Sequence, residues 1–330
     1  MGRFDSRVVA QATGEMMSFW KNKKVLVTGA HGFVGKNLIN LLEKKQEEEH
    51  FTILMPTRNE LDLTKEEQVS DYFLTHKPDI VLHLAGKVGG IGANKASPAD
   101  FFYQNIMMGT LVMHYAYLNG AEKVVALAAG CGYPKMLPVP YTEEDFWKDL
   151  PDENSIGYSM AKKNLIIQSW TYREQFGFNS VILLPANLYG PHDNFNLETS
   201  HVVPALIRKF LEAKESGSDR VTVWGTGVAS REFLYSIDTA QAIIDMAEKV
   251  NESGPFNLGT GVETTIKELV ETIKDLTGFE GEIVWDTSKP DGQPRRFYDM
   301  SRFEKALGYV PSTKVRQGLK QTIEWYQNEK

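Results

Sequence analysis

The sequence predicts an α/β fold, a doubly wound parallel sheet followed by a smaller mixed α/β part. Three observations carry that expectation. Short apolar runs alternate with segments of helical period up to about residue 187, the first run ends in a glycine-rich turn, and the alternation breaks beyond Asn187. Strands alternating with helices build parallel sheets, and such sheets take ligands at the carboxyl ends of their strands.

The first run, "KKVLVTG" (23–29), is apolar and rich in β-branched residues, as a strand buried on both faces must be. "FVGKNLINLLEKK" (33–45) then places Leu38, Leu41 and Leu42 at helical spacing. "FTILMP" (51–56) reads as a second strand and "KEEQVSDYFLTH" (65–76) as a second helix. A third strand, "DIVLHLAG" (79–86), leads to the helix "NIMMGTLVMHYAYLNG" (105–120) and a fourth strand, "KVVALAAG" (123–130). The long helix "SMAKKNLIIQSWTYREQFG" (159–177) precedes the strand "SVILLPAN" (180–187). Residues 189–204 then read as a loop, followed by the helix "ALIRKFLEAKE" and the strand "RVTVWGTG". Residues 1–22, which lack the apolar core of a signal peptide, read as an N-terminal extension. Residues 23–187 form the first domain, with a return segment near 233–250, and residues 188–330 mainly the second.

Bulk properties exclude several classes. A formal charge of −7 does not suit a duplex nucleic-acid binder, which needs a basic footprint. No apolar run approaches the roughly eighteen residues of a membrane span. The single cysteine, Cys131, rules out an intrachain disulfide, so a reducing cytoplasm is the expected compartment. The seven histidines are scattered without ligand spacing, and no metal is expected.

The chemistry-bearing motifs sit where such a fold places them. In "TGAHGFVG", Gly29, Gly32 and Gly35 follow a strand and open a helix, the context that a dinucleotide-binding turn of Rossmann type demands. The glycines admit a pyrophosphate close to the backbone, and the helix N-terminus supplies N–H donors. Arg58, just after the second strand, stands where an acidic residue would favour NAD, so NADP(H) is expected, with Asp62 and Leu63 near the adenine. Tyr158 and Lys162 lie four residues apart on one helix face, and a nearby ammonium makes a phenol a better proton donor or acceptor. The same spacing recurs at Tyr326–Lys330, at the chain end, where it carries no function. Taken alone, Cys131 reads as a small core residue, His83 as a structural group after the third strand, and His31 as either a phosphate neighbour or a solvated side chain.

With "LAGKVGGIGAN", "YSMAK", "PANLYGPHDNF", "SHVVPALIRKF", "VWGTGVASREF" and "SKPDGQPRR" added, the chain resembles an extended short-chain dehydrogenase/reductase of the epimerase/dehydratase group. Within that group it is similar to the enzymes that epimerise and reduce GDP-4-keto-6-deoxy sugars. The resemblance runs from about residue 24 to 310. It implies that Tyr158 and Lys162 form the reductase pair, Cys131 is the epimerisation base and His201 its acid partner. It implies a cofactor site built from Gly29, His31, Gly32, Phe33, Val34, Gly35, Arg58, Asp62, Leu63, Ala85, Gly86, Lys87, Asn105, Lys162, Asn187, Leu188 and His201. It further implies a GDP-sugar site with Ala129, Gly130, Lys209, Trp224, Arg231, Lys289 and Arg295, and with Arg296 as another diphosphate contact. Two aromatic- and Met-rich helices, at 101–118 and 159–176, are expected to form a homodimer interface.

One departure stands out. Relatives carry a serine that hydrogen-bonds the sugar's 4-keto oxygen, and here that position is Ala129, followed by Gly130. Three functions therefore stay open: an epimerase/reductase, an enzyme with only one of those activities or another nucleotide sugar, and a non-catalytic NADP-binding sensor.

Overall fold

The computed structural model describes residues 18–289 and 291–329. Its first half alternates as expected: β1 (Lys24–Thr28), α1 (Phe33–Glu49), β2 (Thr52–Leu54), α2 (Glu66–His76) and β3 (Ile80–His83). A short α3 (Ile91–Ala96) precedes α4 (Pro98–Leu118), β4 (Lys123–Leu127), α5 (Ile156–Phe176), β5 (Ser180–Pro185) and β6 (Asn187–Tyr189). Then come α6 (Val202–Glu215), β7 (Arg220–Trp224), β8 (Ser230–Arg231), β9 (Phe233–Tyr235) and α7 (Ser236–Lys249). The chain closes with β10 (Phe256–Leu258), β11 (Thr264–Thr265), α8 (Ile266–Thr277), β12 (Glu282–Asp286), α9 (Ser301–Leu307) and α10 (Val315–Glu329).

Six strands form the parallel sheet in the order β10–β5–β4–β3–β1–β2. The chain runs outward from β1 to β2 and then crosses to β3 on the other side of β1. A crevice therefore opens between the carboxyl ends of β1 and β3, where Thr28 is in register with His83. The central strands read Val25–Val27, Ile80–Leu82, Val124–Ala126 and Val181–Leu184, all buried because helices cover both faces. α1 packs with α7, while α4 packs along α5.

Three features differ from the sequence expectation. α4 starts at Pro98, because proline is at home in a first helical turn. The outermost strand, β10, comes from the stretch assigned to the second part, where Phe256–Leu258 pairs with Leu183–Pro185. The boundary at residue 23 also shifts. Trp20 is fully buried, its ring centroid 5.5 Å from that of Phe51, so the packed structure begins before the first strand. Residues 1–17 of the expected extension lie outside the described residues.

A second core forms from Val203, Ile207 and Phe210 of α6, Leu269 and Ile273 of α8, and Leu319 and Ile323 of α10. The β7–β12 pair, parallel in register from Arg220↔Glu282 to Trp224↔Asp286, flanks it. Between the two cores, β6 pairs with β9, which places Asn187 beside Phe233 at the crevice.

Candidate active site

The glycine turn after β1 separates two cavities. One, of about 420 Å³, is lined by Thr28, Gly29, His31, Gly32, Arg58, Asp62, Leu63, Ala85, Gly86 and Lys87, and also by Pro56, Gln104 and Met108. The other, of about 530 Å³, is lined by Gly29, Gly32, Phe33, Val34, Gly35, Ala85 and Gly86 on one side. Its far side holds Ala129, Gly130, Cys131, Tyr158, Lys162, Asn187, Leu188, His201, Phe233 and Arg296. Both share Gly29, Gly32, Ala85 and Gly86, so a two-part ligand bridged by a pyrophosphate can span them across the turn. A Cβ on Gly35 would lie 2.1 Å from the Gly29 carbonyl oxygen, so α1 closes on the turn only with glycine there. These residues fit a nicotinamide dinucleotide.

Supporting groups fix this trough. His83 is buried, and its Nδ1 lies 2.7 Å from Thr28 Oγ1, tying β3 to β1. Burial pushes its pKa down to about 3, so it is neutral and structural. His31 reaches back to the Met55 carbonyl, 3.1 Å from Nε2. Asn105 is buried and lines neither cavity. Its amide accepts from Lys87 N at 3.0 Å and donates to the Lys87 and Phe101 carbonyls, which shapes the loop after β3.

The four residues assigned to chemistry converge on the larger cavity. Tyr158 and Lys162 come from the first turns of α5, and Lys162 Nζ donates to the Leu127 carbonyl at 3.0 Å. Burial pulls Lys162 down to about 8, with the Cys131 thiol opposing that shift, and burial pushes the Tyr158 phenol up. Cys131 lies in the 3₁₀ turn Gly130–Gly132 that ends β4. Burial pushes its thiol up, while a hydrogen bond from Ser159 and the charges of Arg296 and Lys162 pull it down. The Ser159 hydroxyl, fully buried, lies 3.3 Å from Cys131 Sγ and 3.1 Å from the Cys131 carbonyl, and its one hydrogen is shared between these two acceptors. His201 occupies the N-cap position of α6, with no capping hydrogen bond from its side chain, and partial burial pulls its pKa below the usual histidine range.

The predicted nucleotide contacts divide. Ala129 and Gly130 are in the cavity wall. Trp224, 65% exposed, lies 5.9 Å from Lys209 Nζ and 5.5 Å from Lys289 Nζ, a separate cationic platform on the second part. Arg231 donates to the Gln293 carbonyl at 2.5 Å and lines neither cavity. Arg295 turns away from the site and pairs with Glu263 at 2.6 Å. Its neighbour Arg296 enters instead. Ser159 escaped the sequence reading, although a hydroxyl directly after Tyr158 on the helix was a usable signal.

The geometry describes a dinucleotide enzyme with a tyrosine–lysine pair beside a cysteine, and the comparisons agree on the class. The model of the NAD dependent epimerase/dehydratase family matches residues 25–259, and the chain belongs to that family. It is 40% identical over 321 residues to GDP-L-fucose synthase 1 of Arabidopsis thaliana, covering 96% of this chain and 98% of that one. Among solved structures, a GDP-L-fucose synthetase from Naegleria fowleri bound to NADP superposes with a TM-score of 0.84 at 29% identity, covering 94% and 96% of the two chains. A GDP-mannoheptose C4 reductase from Campylobacter jejuni, with NADP bound, gives a TM-score of 0.84 at 31% identity over 94% and 100%. The protein is an enzyme of this family and uses NADP(H).

Proposed function

We propose that this protein is a GDP-sugar 3,5-epimerase/4-reductase. The observation that carries the reading is the convergence of Cys131, Tyr158, Lys162 and His201 on one cavity that adjoins the glycine turn. The names of the relatives supply the GDP-sugar class, and Arg58 at the smaller cavity suits a 2′-phosphate.

A 4-keto group acidifies the hydrogens at C3 and C5. Cys131 Sγ, as thiolate, takes one of those protons; the C–H pair becomes a C3=C4 or C4=C5 double bond, and the C4=O pair moves to O4. His201 returns a proton to carbon on the opposite face, which inverts the centre. Bound NADPH supplies a hydride for C4. Tyr158 then gives its phenolic proton to O4, with the Lys162 ammonium close by to stabilise the phenolate. The Trp224 platform with Lys209 and Lys289 serves the nucleotide end.

Following NADPH absorbance with GDP-4-keto-6-deoxymannose, and the product by mass spectrometry in D₂O, tests this. Turnover with deuterium at C3 and C5 is expected; no NADPH oxidation with any GDP-4-keto sugar rules the reading out. The C4-reductase neighbour favours a second reading, reduction without epimerisation, and it predicts turnover with no deuterium at C3 or C5.

A further inference from the structure

Positions 129 and 130, in the cavity wall next to Cys131, carry no hydroxyl that could polarise the sugar ketone. Ala129 offers a methyl group and Gly130 nothing, yet both line the cavity. An enolate at O4 is stabilised by each hydrogen bond it accepts, and without a hydroxyl at position 129 the Tyr158 phenol is one donor where relatives have two. A second donor close to this turn would take the place of the missing group.

Arg296 is in that place. A Cβ on Gly130 would lie 2.7 Å from Arg296 Nη2 and 1.8 Å from Tyr298 Oη, so this pair fills the space that a side chain at 130 would occupy. Arg296 Nη2 donates to Tyr298 Oη at 3.3 Å, and Tyr298 is buried with its ring centroid 5.5 Å from that of Tyr133. Both ends of the segment are pinned by Glu232. Its backbone N–H donates to the Arg296 carbonyl at 3.2 Å, and its carboxylate accepts from Tyr298 N at 2.9 Å. Among the described residues, no carboxylate lies within ion-pair distance of Arg296, whereas Arg295 has Glu263. A guanidinium carries five N–H donors, and one facing a cavity without a carboxylate is suited to an anion that arrives with the ligand.

Two anionic groups of the ligand compete for it, the diphosphate and the developing O4 oxyanion. The cationic platform around Trp224 lies outside this cavity, while Arg296 shares a wall with Ala129, Gly130 and Cys131. We propose that Arg296 is the hydrogen-bond donor to the sugar's C4 oxygen, replacing the absent hydroxyl at position 129, with Tyr298 as the residue that positions it. This rests on the epimerase/reductase reading above. Arg296 forms and breaks no covalent bond: it holds the O4 oxyanion after Cys131 takes the C3 or C5 proton, and holds the ketone oxygen until Tyr158 protonates it.

The test uses the full chain with Arg296→Gln, Tyr298→Phe, and Arg296→Gln combined with Ala129→Ser. Arg296→Gln is expected to lower C3/C5 deuterium exchange and kcat for reduction by about 10²–10³-fold, the loss seen when one oxyanion donor is removed. GDP and NADPH dissociation constants, measured by calorimetry and cofactor fluorescence, should stay within about twofold. Adding Ala129→Ser should restore part of the lost kcat. Tyr298→Phe, which keeps the ring and the guanidinium, should lower kcat with KM little changed; it carries the test if Arg296→Gln no longer binds NADPH. A tenfold or greater loss of GDP affinity with kcat unchanged makes Arg296 a diphosphate contact and overturns the proposal, as does wild-type exchange in Arg296→Gln. Inactivity of the unaltered protein on every GDP-4-keto sugar defeats the functional reading itself, and the proposal with it.

Discussion

At the scale of single residues, the proposed epimerisation turns on how the half-buried Cys131 thiol is made a base. Burial alone pushes the Cys131 thiol up, and Ser159, Arg296 and Lys162 oppose that push. A hydrogen bond donated to sulfur stabilises the thiolate more than the thiol, so its removal raises the pKa. Ser159→Ala is therefore expected to move the rise of C3/C5 exchange to higher pH. Reduction of an already epimerised ketone should keep its profile, because Tyr158 and Lys162 are untouched. The pH dependence of Cys131 alkylation by iodoacetamide reads the same shift without substrate; an unmoved alkylation profile would show that Ser159 only packs. Motif and resemblance single out Cys131, Tyr158, Lys162 and His201, and the four share one cavity. Ser159 and Arg296 were harder, since their importance comes from burial and direction. In "PRR", sequence cannot say which arginine turns inward; the Glu263 pair holds Arg295 outward, and Tyr298 holds Arg296 inward.

At the scale of elements, strand ends and helix starts do the placing. β1 and β3 end side by side, α1 begins on the glycine turn, and α5 begins beside the turn that follows β4. Gly35 is where this arrangement has least room. An alanine Cβ there would meet the Gly29 carbonyl oxygen at 2.1 Å and the Ala30 carbonyl oxygen at 2.6 Å, so α1 must back away from the turn. Overpacking of this kind costs about 1–3 kcal/mol. Gly35→Ala is expected to weaken NADPH binding by roughly fivefold to 150-fold if that whole cost falls on the bound state. Fluorescence titration measures it, and wild-type affinity would mean that the turn is not the cofactor's seat. Periodicity and turn chemistry located most of these elements to within a few residues. β10 stayed hidden, because a three-residue strand carries no periodic signal and is defined by its pairing with β5.

At the scale of the whole molecule, the exposed faces of α4 and α5 stand out. Phe102, Tyr103 and Leu118 on α4 are 42%, 56% and 56% exposed, and Ile167 and Phe176 on α5 are 41% and 42% exposed. Helices packed along each other with large apolar side chains left outward suit a second copy of the chain. We expect a dimer mass by analytical ultracentrifugation at micromolar concentration, and Tyr103→Glu with Ile167→Glu together should yield a monomer. A monomeric unaltered protein would remove the idea. Among the described residues, no helix is long and apolar enough to cross a membrane.

The sequence by itself determined the alternation of strands and helices, the glycine turn, the tyrosine–lysine pair and the family, because these rest on local periodicity and short spacings. Tertiary structure decided what depends on distant segments meeting. It buried Trp20 in the first core, brought Phe256–Leu258 to the edge of the sheet, and separated the Trp224 platform from the reaction cavity. It also set Arg296 and Tyr298 over Gly130, across a sequence gap that no local pattern spans. The missing hydroxyl at Ala129 was visible in the sequence, but the group standing beside it was visible only in the fold.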